Sequence, residues 1–175
     1  MGIIGFGQMG TAFAQRLQGF GVRILAHDKY RSAFGNETIE EAPLETVLKE
    51  SDVISLHLPL TPETEHYVNA EFLARCADPI WFINTARGPL VDTKALLDAI
   101  DAGRVLGAGL DVLEYEERSL KDLSGNTNDP TLKRLYANDK VLLTPHVAGL
   151  TTESYFKLAN VLADKILQDI AEGKL

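Results

Sequence analysis

Apolar residues are distributed along the chain in two manners. Short β-branched runs occur at GIIG (2–5), VRILAH (22–27), DVISLHL (52–58), IWFINT (80–85), VLGAGLDV (105–112) and KVLLTP (140–145). Several are apolar on successive positions, as strands covered on both faces must be. Between them, apolar positions spaced three and four apart predict helices near 8–19, 43–50, 69–77, 92–102 and 130–136. Pro43 suits a first helical turn, where its missing N–H would be unpaired anyway. Asp92 can cap TKALLDAI, and Gly103 follows that helix where a left-handed ending is cheap. Strands alternating with helices predict an α/β fold: a doubly wound parallel sheet with helices on both sides.

Two segments break this rhythm. EYEERSLKDLSGNTNDP (114–130) is long, polar and turn-rich, so it is expected to be a surface excursion and a candidate site wall. The tail, 151–175, predicts a final helix in which Tyr155, Leu158, Leu162, Ile166 and Ile170 form one apolar stripe. With 175 residues, the chain is long enough for one domain with a sizeable core and short for two. The expectation is a single domain over 1–175.

Charge and cysteine content narrow the function classes. A formal net charge of −8 argues against sequence-independent grip on nucleic acid or on an anionic membrane. It says little about a small anionic ligand, which needs only a local pocket lined by cations or amides. Cys76 is the single cysteine, which excludes an internal disulfide framework and points to a reducing cytoplasm. No run approaches the roughly 20 apolar residues of a membrane span, and no secretory leader pattern opens the chain. No spacing suits a metal site, no G-x-S-x-G elbow is present, and Cys76 has no activating base nearby in sequence.

The candidate chemistry begins with the glycines. Gly5, Gly7 and Gly10 form G-x-G-x-x-G between a strand and a helix. The first permits the tight turn and the second lets backbone approach a pyrophosphate. The third lets the helix pack closely, with its free N–H groups and dipole toward the anion. Asp28 ends the second strand candidate, near the spacing of an acid that binds ribose hydroxyls. A carboxylate there would accept from the 2′-OH of NAD and repel the phosphate of NADP, while Lys29 and Arg31 could soften that repulsion. The plain alternative is a strand-end aspartate in a turn.

Ligands of open α/β sheets sit beyond the carboxyl ends of the strands. Arg87, Glu116 and His146 all fall there. Arg87 offers a planar fork to a substrate carboxylate and carbonyl. His146 can give a proton to a carbonyl as hydride arrives, or take one from an alcohol as it leaves. Glu116, hydrogen-bonded to the imidazole, would favour its protonated form and fix its tautomer. Each has a plainer alternative: a loop arginine, a solvated acid in the cluster with Glu114 and Glu117, a histidine partnering a carbonyl. His27 and His57 belong to strand candidates as core or pocket lining, and His66 lies in a polar loop.

The segments GIIGFGQMG, LHLPLTPETEHYVN, INTARGPLVDTKALLDAI, GAGLDVLEYEE and LLTPHVAGLT together resemble the successive motifs of the D-isomer-specific 2-hydroxyacid dehydrogenases. The resemblance runs from about residue 2 to the start of the last helix, and within the family it leans toward phosphoglycerate dehydrogenase-like members. It implies a Rossmann NAD-binding domain and NAD as cofactor. It also implies hydride transfer between NAD(H) and a D-2-hydroxy or 2-keto acid, 3-phosphoglycerate among the candidates.

Residue by residue, Arg87 matches the substrate-orienting arginine, and Glu116 with His146 matches the acid/base pair. Gln8, Met9, Asp28, Thr85, Ala86 and Arg87 match cofactor-contacting positions, as do Asp111 and the stretch from His146 to Gly149. Pro59 and Thr64 would lie on the adenosine side. The resemblance further implies a homodimer through this domain, and a substrate domain absent from this chain, toward which the 151–175 helix would lead. A chain of this kind is expected to bind NAD(H) and to reduce 2-keto acids poorly. The alternatives are an inactive NAD-binding or dimerisation module, and an NADP enzyme.

Overall fold

A computed structural model describes residues 1–114 and 129–174. Among the described residues, seven strands form one sheet: β1 (Gly2–Ile4), β2 (Ile24–His27), β3 (Ile39–Glu41), β4 (Val53–Leu56), β5 (Ile80–Asn84), β6 (Val105–Leu110) and β7 (Val141–Leu143). Their spatial order is β3-β2-β1-β4-β5-β6-β7, and every neighbouring pair is parallel. The helices are α1 (Gln8–Leu17), α2 (Leu44–Glu50), α3 (Ala70–Ala74), α4 (Thr93–Asp101), α5 (Pro130–Tyr136) and α6 (Thr152–Ala171). This is the doubly wound Rossmann arrangement that the alternation predicts, and its order reverses between β1 and β4.

Successive residues of one strand serve opposite faces of the sheet. Ile3, Ile24 and Ala26 join Phe6, Ala14 and Ile39 in one buried cluster. Ile4 and Leu25 join the larger one, with Val47, Leu56, Phe82 and Leu96. Burial on both faces is why β1 and β2 read as continuous apolar runs rather than as alternation.

The edge strand β3 has no counterpart among the sequence-predicted strands. It holds one buried residue, Ile39, followed by exposed Glu40 and Glu41. An edge strand with a single pairing neighbour needs little apolar content, so hydrophobicity does not reveal it. The other elements fall inside their predicted ranges, trimmed by caps. Asn69 and Asp92 accept from Phe72 N and Ala95 N to start α3 and α4, and Asp129 accepts from Thr131 N to start α5. Gly103, at φ +73°, follows α4 in the left-handed region.

The chain divides into two compact units, Met1–Pro145 and His146–Leu175. Within the second, Thr151 and Ser154 form a reciprocal capping box that starts α6. Among the described residues, no helix is long and apolar enough to cross a membrane.

Candidate cofactor and active site

The glycine loop leaves β1 beside the point where the strand order reverses. Gly5 sits at φ +93°, and a Cβ on it would lie 2.6 Å from the His57 carbonyl oxygen. A Cβ on Gly10 would lie 2.1 Å from the Gly5 carbonyl oxygen, so α1 can start this close only with glycine there. Around Gly7 the situation is opposite, since nothing lies within 4 Å of where its Cβ would be. Gly7 is also the N-cap of α1, and no side chain caps it. Backbone amides at the head of α1 therefore face open space, with Gln8 and Met9 exposed beside them. That is the cradle a pyrophosphate needs.

Asp28 holds this loop from the side. One carboxylate oxygen accepts from Phe6 N at 2.8 Å, and the other from Tyr30 N at 2.9 Å and Arg31 N at 3.0 Å. Partial burial alone would raise its pKa, but the three backbone donors outweigh this and hold the carboxyl below its usual value. Asp28 is thus an anionic anchor of the glycine loop in addition to a candidate ribose ligand. Beneath the loop, His57 packs against Phe13 with ring centroids 5.0 Å apart, and its Nε2 lies 3.1 Å from Ser55 Oγ. Burial lowers the His57 pKa to about 4, so the ring is neutral at neutral pH.

After β4, Thr64 Oγ1 donates to the Pro59 carbonyl at 2.7 Å and accepts from Thr61 N at 2.8 Å. Its hydroxyl shapes the 59–64 loop, and Pro59 is exposed at the start of that loop.

The second end of the site is built after β5 and β6. Arg87 is exposed, in an extended conformation at the head of a short 3-10 turn, Gly88–Leu90, and its Nη1 donates to the Ala86 carbonyl at 2.6 Å. Its backbone is fixed by Asn84, a fully buried residue that the sequence reading does not single out. Asn84 Oδ1 accepts from Ala86 N at 3.0 Å and Nδ2 donates to the Arg87 carbonyl at 2.9 Å. The available signal was an amide at a strand end directly before T-A-R-G. Thr85 is exposed and Ala86 half-buried on this turn.

Asp111 is buried at the end of β6. Its N–H donates to the Asn84 carbonyl at 3.0 Å, and its carboxylate accepts from the Thr144 hydroxyl. Gly88 abuts the same segment: a Cβ there would lie 1.9 Å from the Leu113 carbonyl oxygen.

Glu114 and His66 form a contact that the sequence reading does not single out. Glu114 is not a solvated member of an acidic cluster; its side chain is 11% exposed. Its Oε1 meets His66 Nε2 at 2.6 Å and its Oε2 accepts from Thr93 N at 2.9 Å. His66, a residue of the polar loop with φ 49°, is therefore tied to the start of α4 through this carboxylate.

Glu116 lies outside the described residues, as does most of the 114–130 excursion. His146 opens the second unit as an exposed residue at φ 52°, in the left-handed region that favours glycine. Within the same unit, Gly149 offers its carbonyl to Thr151 N at 3.1 Å and to the Ser154 hydroxyl.

Comparison with known proteins agrees with this fold. Residues 1–148 match the family described as D-isomer specific 2-hydroxyacid dehydrogenase, NAD binding domain. A glyoxylate reductase of Korarchaeum cryptofilum is 41% identical over 169 residues, covering 95% of this chain and 48% of the relative. A D-lactate dehydrogenase of Treponema pallidum is 37% identical over 153 residues, covering 86% and 46%. Among solved structures, a D-lactate dehydrogenase from Aquifex aeolicus, complexed with NAD and lactic acid, superposes with a TM-score of 0.81 at 36% identity, covering 98% of this chain and 53% of that one. The chain spans about half the length of these relatives.

Proposed function

The chain belongs to the D-isomer specific 2-hydroxyacid dehydrogenases, and on that premise we propose that it is the NAD-binding part of an oxidoreductase acting on a small D-2-hydroxy or 2-keto acid. The observation that carries the proposal is the glycine loop. Gly5 and Gly10 admit no side chain, Gly7 opens onto empty space, and Asp28 is fixed beside them. These residues fit a dinucleotide: the α1 amides for the pyrophosphate, Asp28 for the ribose, Pro59 and Thr64 on the adenosine side, and Asp111 and Thr85 to Arg87 toward the nicotinamide.

When bound, NAD supplies the acceptor for the hydride that leaves C2 of the hydroxy acid. Arg87 orients the substrate by pairing its fork with the carboxylate and the C2 oxygen. His146 takes the hydroxyl proton in oxidation and returns it in reduction. Glu116 favours the imidazolium and sets its tautomer. In this reading residues 1–175 work as one dinucleotide-binding domain, the 151–175 helix leads toward the substrate domain, and the chain pairs as a cytoplasmic homodimer.

Titration of the 175-residue chain with NADH tests the proposal. A saturable change in nicotinamide fluorescence below millimolar cofactor is expected, and its absence would overturn the reading. With pyruvate, glyoxylate or the 3-phosphoglycerate couple offered, the chain alone turns over slowly, and Arg87→Ala removes what turnover there is. Fast turnover by the isolated chain would contradict the role given to a substrate domain.

A further inference from the structure

A polar cluster at the cofactor end is used by none of these roles. In the sheet, β2 and β4 flank β1, and a side-chain bridge joins the segments that follow them. Glu63, in the loop after β4, accepts from Lys29 Nζ on one carboxylate oxygen and from the Tyr30 hydroxyl on the other. Lys29 Nζ also lies 5.4 Å from the Tyr30 ring centroid. Arg31 is engaged elsewhere: its Nη1 donates to the Phe6 carbonyl, and its guanidinium carbon stands 6.0 Å from the Phe6 ring centroid. Both cations that follow Asp28 are therefore committed to partners within the chain.

This matters for cofactor choice. An acid at the end of β2 sits against the ribose 2′ oxygen, so a group attached there meets the residues just after that acid. A 2′-phosphate needs Lys or Arg to balance its charge, and Lys29 is the cation next to Asp28 in the sequence. We propose that Glu63 determines cofactor specificity: by holding Lys29 it withholds the cation a 2′-phosphate requires, and it brings a second carboxylate to the corner of Asp28, so that NAD is preferred over NADP. The proposal rests on the dinucleotide reading above. The hydrogen bond from Lys29 holds the Glu63 carboxyl below its usual pKa, and Glu63 in turn raises that of Lys29, so both partners are charged at neutral pH.

The test is a set of NADH and NADPH fluorescence titrations at low salt. The proteins are the wild-type chain, Glu63→Gln, Lys29→Met and the double variant. Glu63→Gln is expected to tighten NADPH binding roughly fivefold, the scale of an exposed charge pair, while NADH changes by less than about twofold. The gain should vanish in the double variant, because the released cation is gone. An unchanged NADPH-to-NADH ratio in Glu63→Gln would overturn the proposal. So would a gain that survives without Lys29, or a parallel weakening of both cofactors, which would make Glu63 a loop brace only. Wild-type chain that fails to bind NADH would overturn the dinucleotide reading itself, and this inference with it.

Discussion

The two ends of the site within the Met1–Pro145 unit are made by different means. At the ends of β1 and β2 the backbone does the work: amides at the head of α1 are left bare, and Asp28 spends both oxygens on main-chain N–H groups. At the ends of β5 and β6 the work falls to buried polar side chains. Asn84 pins both peptide groups around Ala86 and Arg87, Asp111 holds Thr144, and Glu114 joins His66 to α4. The difference fits the ligand proposed for each end. A pyrophosphate is gripped by main chain, which requires the absence of side chains. A long guanidinium can be aimed only if its own backbone is fixed first, which requires buried hydrogen bonds with no water to compete.

Both ends nevertheless depend on a glycine that admits no carbon, and substitution there is expected to give the largest effects. Gly88→Ala would place a methyl 1.9 Å from the Leu113 oxygen, and Gly10→Ala one 2.1 Å from the Gly5 oxygen. Backbone must move in each case, at a cost of about 3 kcal/mol of unfolding free energy. Gly7→Ala is the contrast, because its methyl meets nothing. Stability should change by less than about 1 kcal/mol, while NADH binding is lost as the methyl fills the cradle. Chemical denaturation and NADH titration of the three variants check this. If Gly7→Ala binds NADH as well as wild type, the backbone account of the first end is broken.

A pH series sharpens the comparison on the same side. His57 supports the glycine loop and has no resolved charged partner, and burial sets its pKa near 4 against 6.5 for an ordinary histidine. Between those values the unfolded chain takes up a proton that the folded chain refuses, so stability falls as pH drops from about 6.5 to 4 and is flat below. The full difference is about 3 kcal/mol. Denaturation midpoints from pH 7 to 4.5 should therefore fall less steeply for His57→Gln than for wild type. Parallel curves would mean that the folded ring accepts its proton without penalty.

The same contrast explains which parts could be read from the sequence. Close-packed glycines, an acid at a fixed distance and β-branched runs are one-dimensional signals, because they describe what one segment does to its own backbone. Hence the sheet, α1 and the Gly5–Asp28 device were legible. Glu114 and His66 act between segments: Glu114 is 48 residues from His66 and 21 from Thr93. No local pattern marks an acid as buried when its neighbours Tyr115, Glu116 and Glu117 look like a solvated cluster. The β3 edge strand escaped for the converse reason, since its charged residues face solvent and carry no core signature. The roles proposed for Arg87 and His146 rest on their place after strands and on motif resemblance, and the structure shows a buried backbone support for Arg87 and a left-handed backbone for His146.

The smallest expected effect separates the two duties of Glu114. Its carboxylate accepts from Thr93 N, one of the orphan amides at the head of α4, and meets His66 with the other oxygen. Glu114→Ala leaves the amide of buried Thr93 without that acceptor, at about 1 to 2 kcal/mol. Glu114→Gln keeps an oxygen for Thr93 and loses only the carboxylate offered to His66, whose side chain is 45% exposed, so it should cost less than about 1 kcal/mol. If the two variants are equally destabilised, the carboxylate contact with His66 rather than the amide contact carries the load. If glutamine is tolerated and alanine is not, the amide contact dominates. Gln should then also preserve the stop that Leu113 gives Gly88, because the segment leaving β6 is still anchored two residues before Glu116.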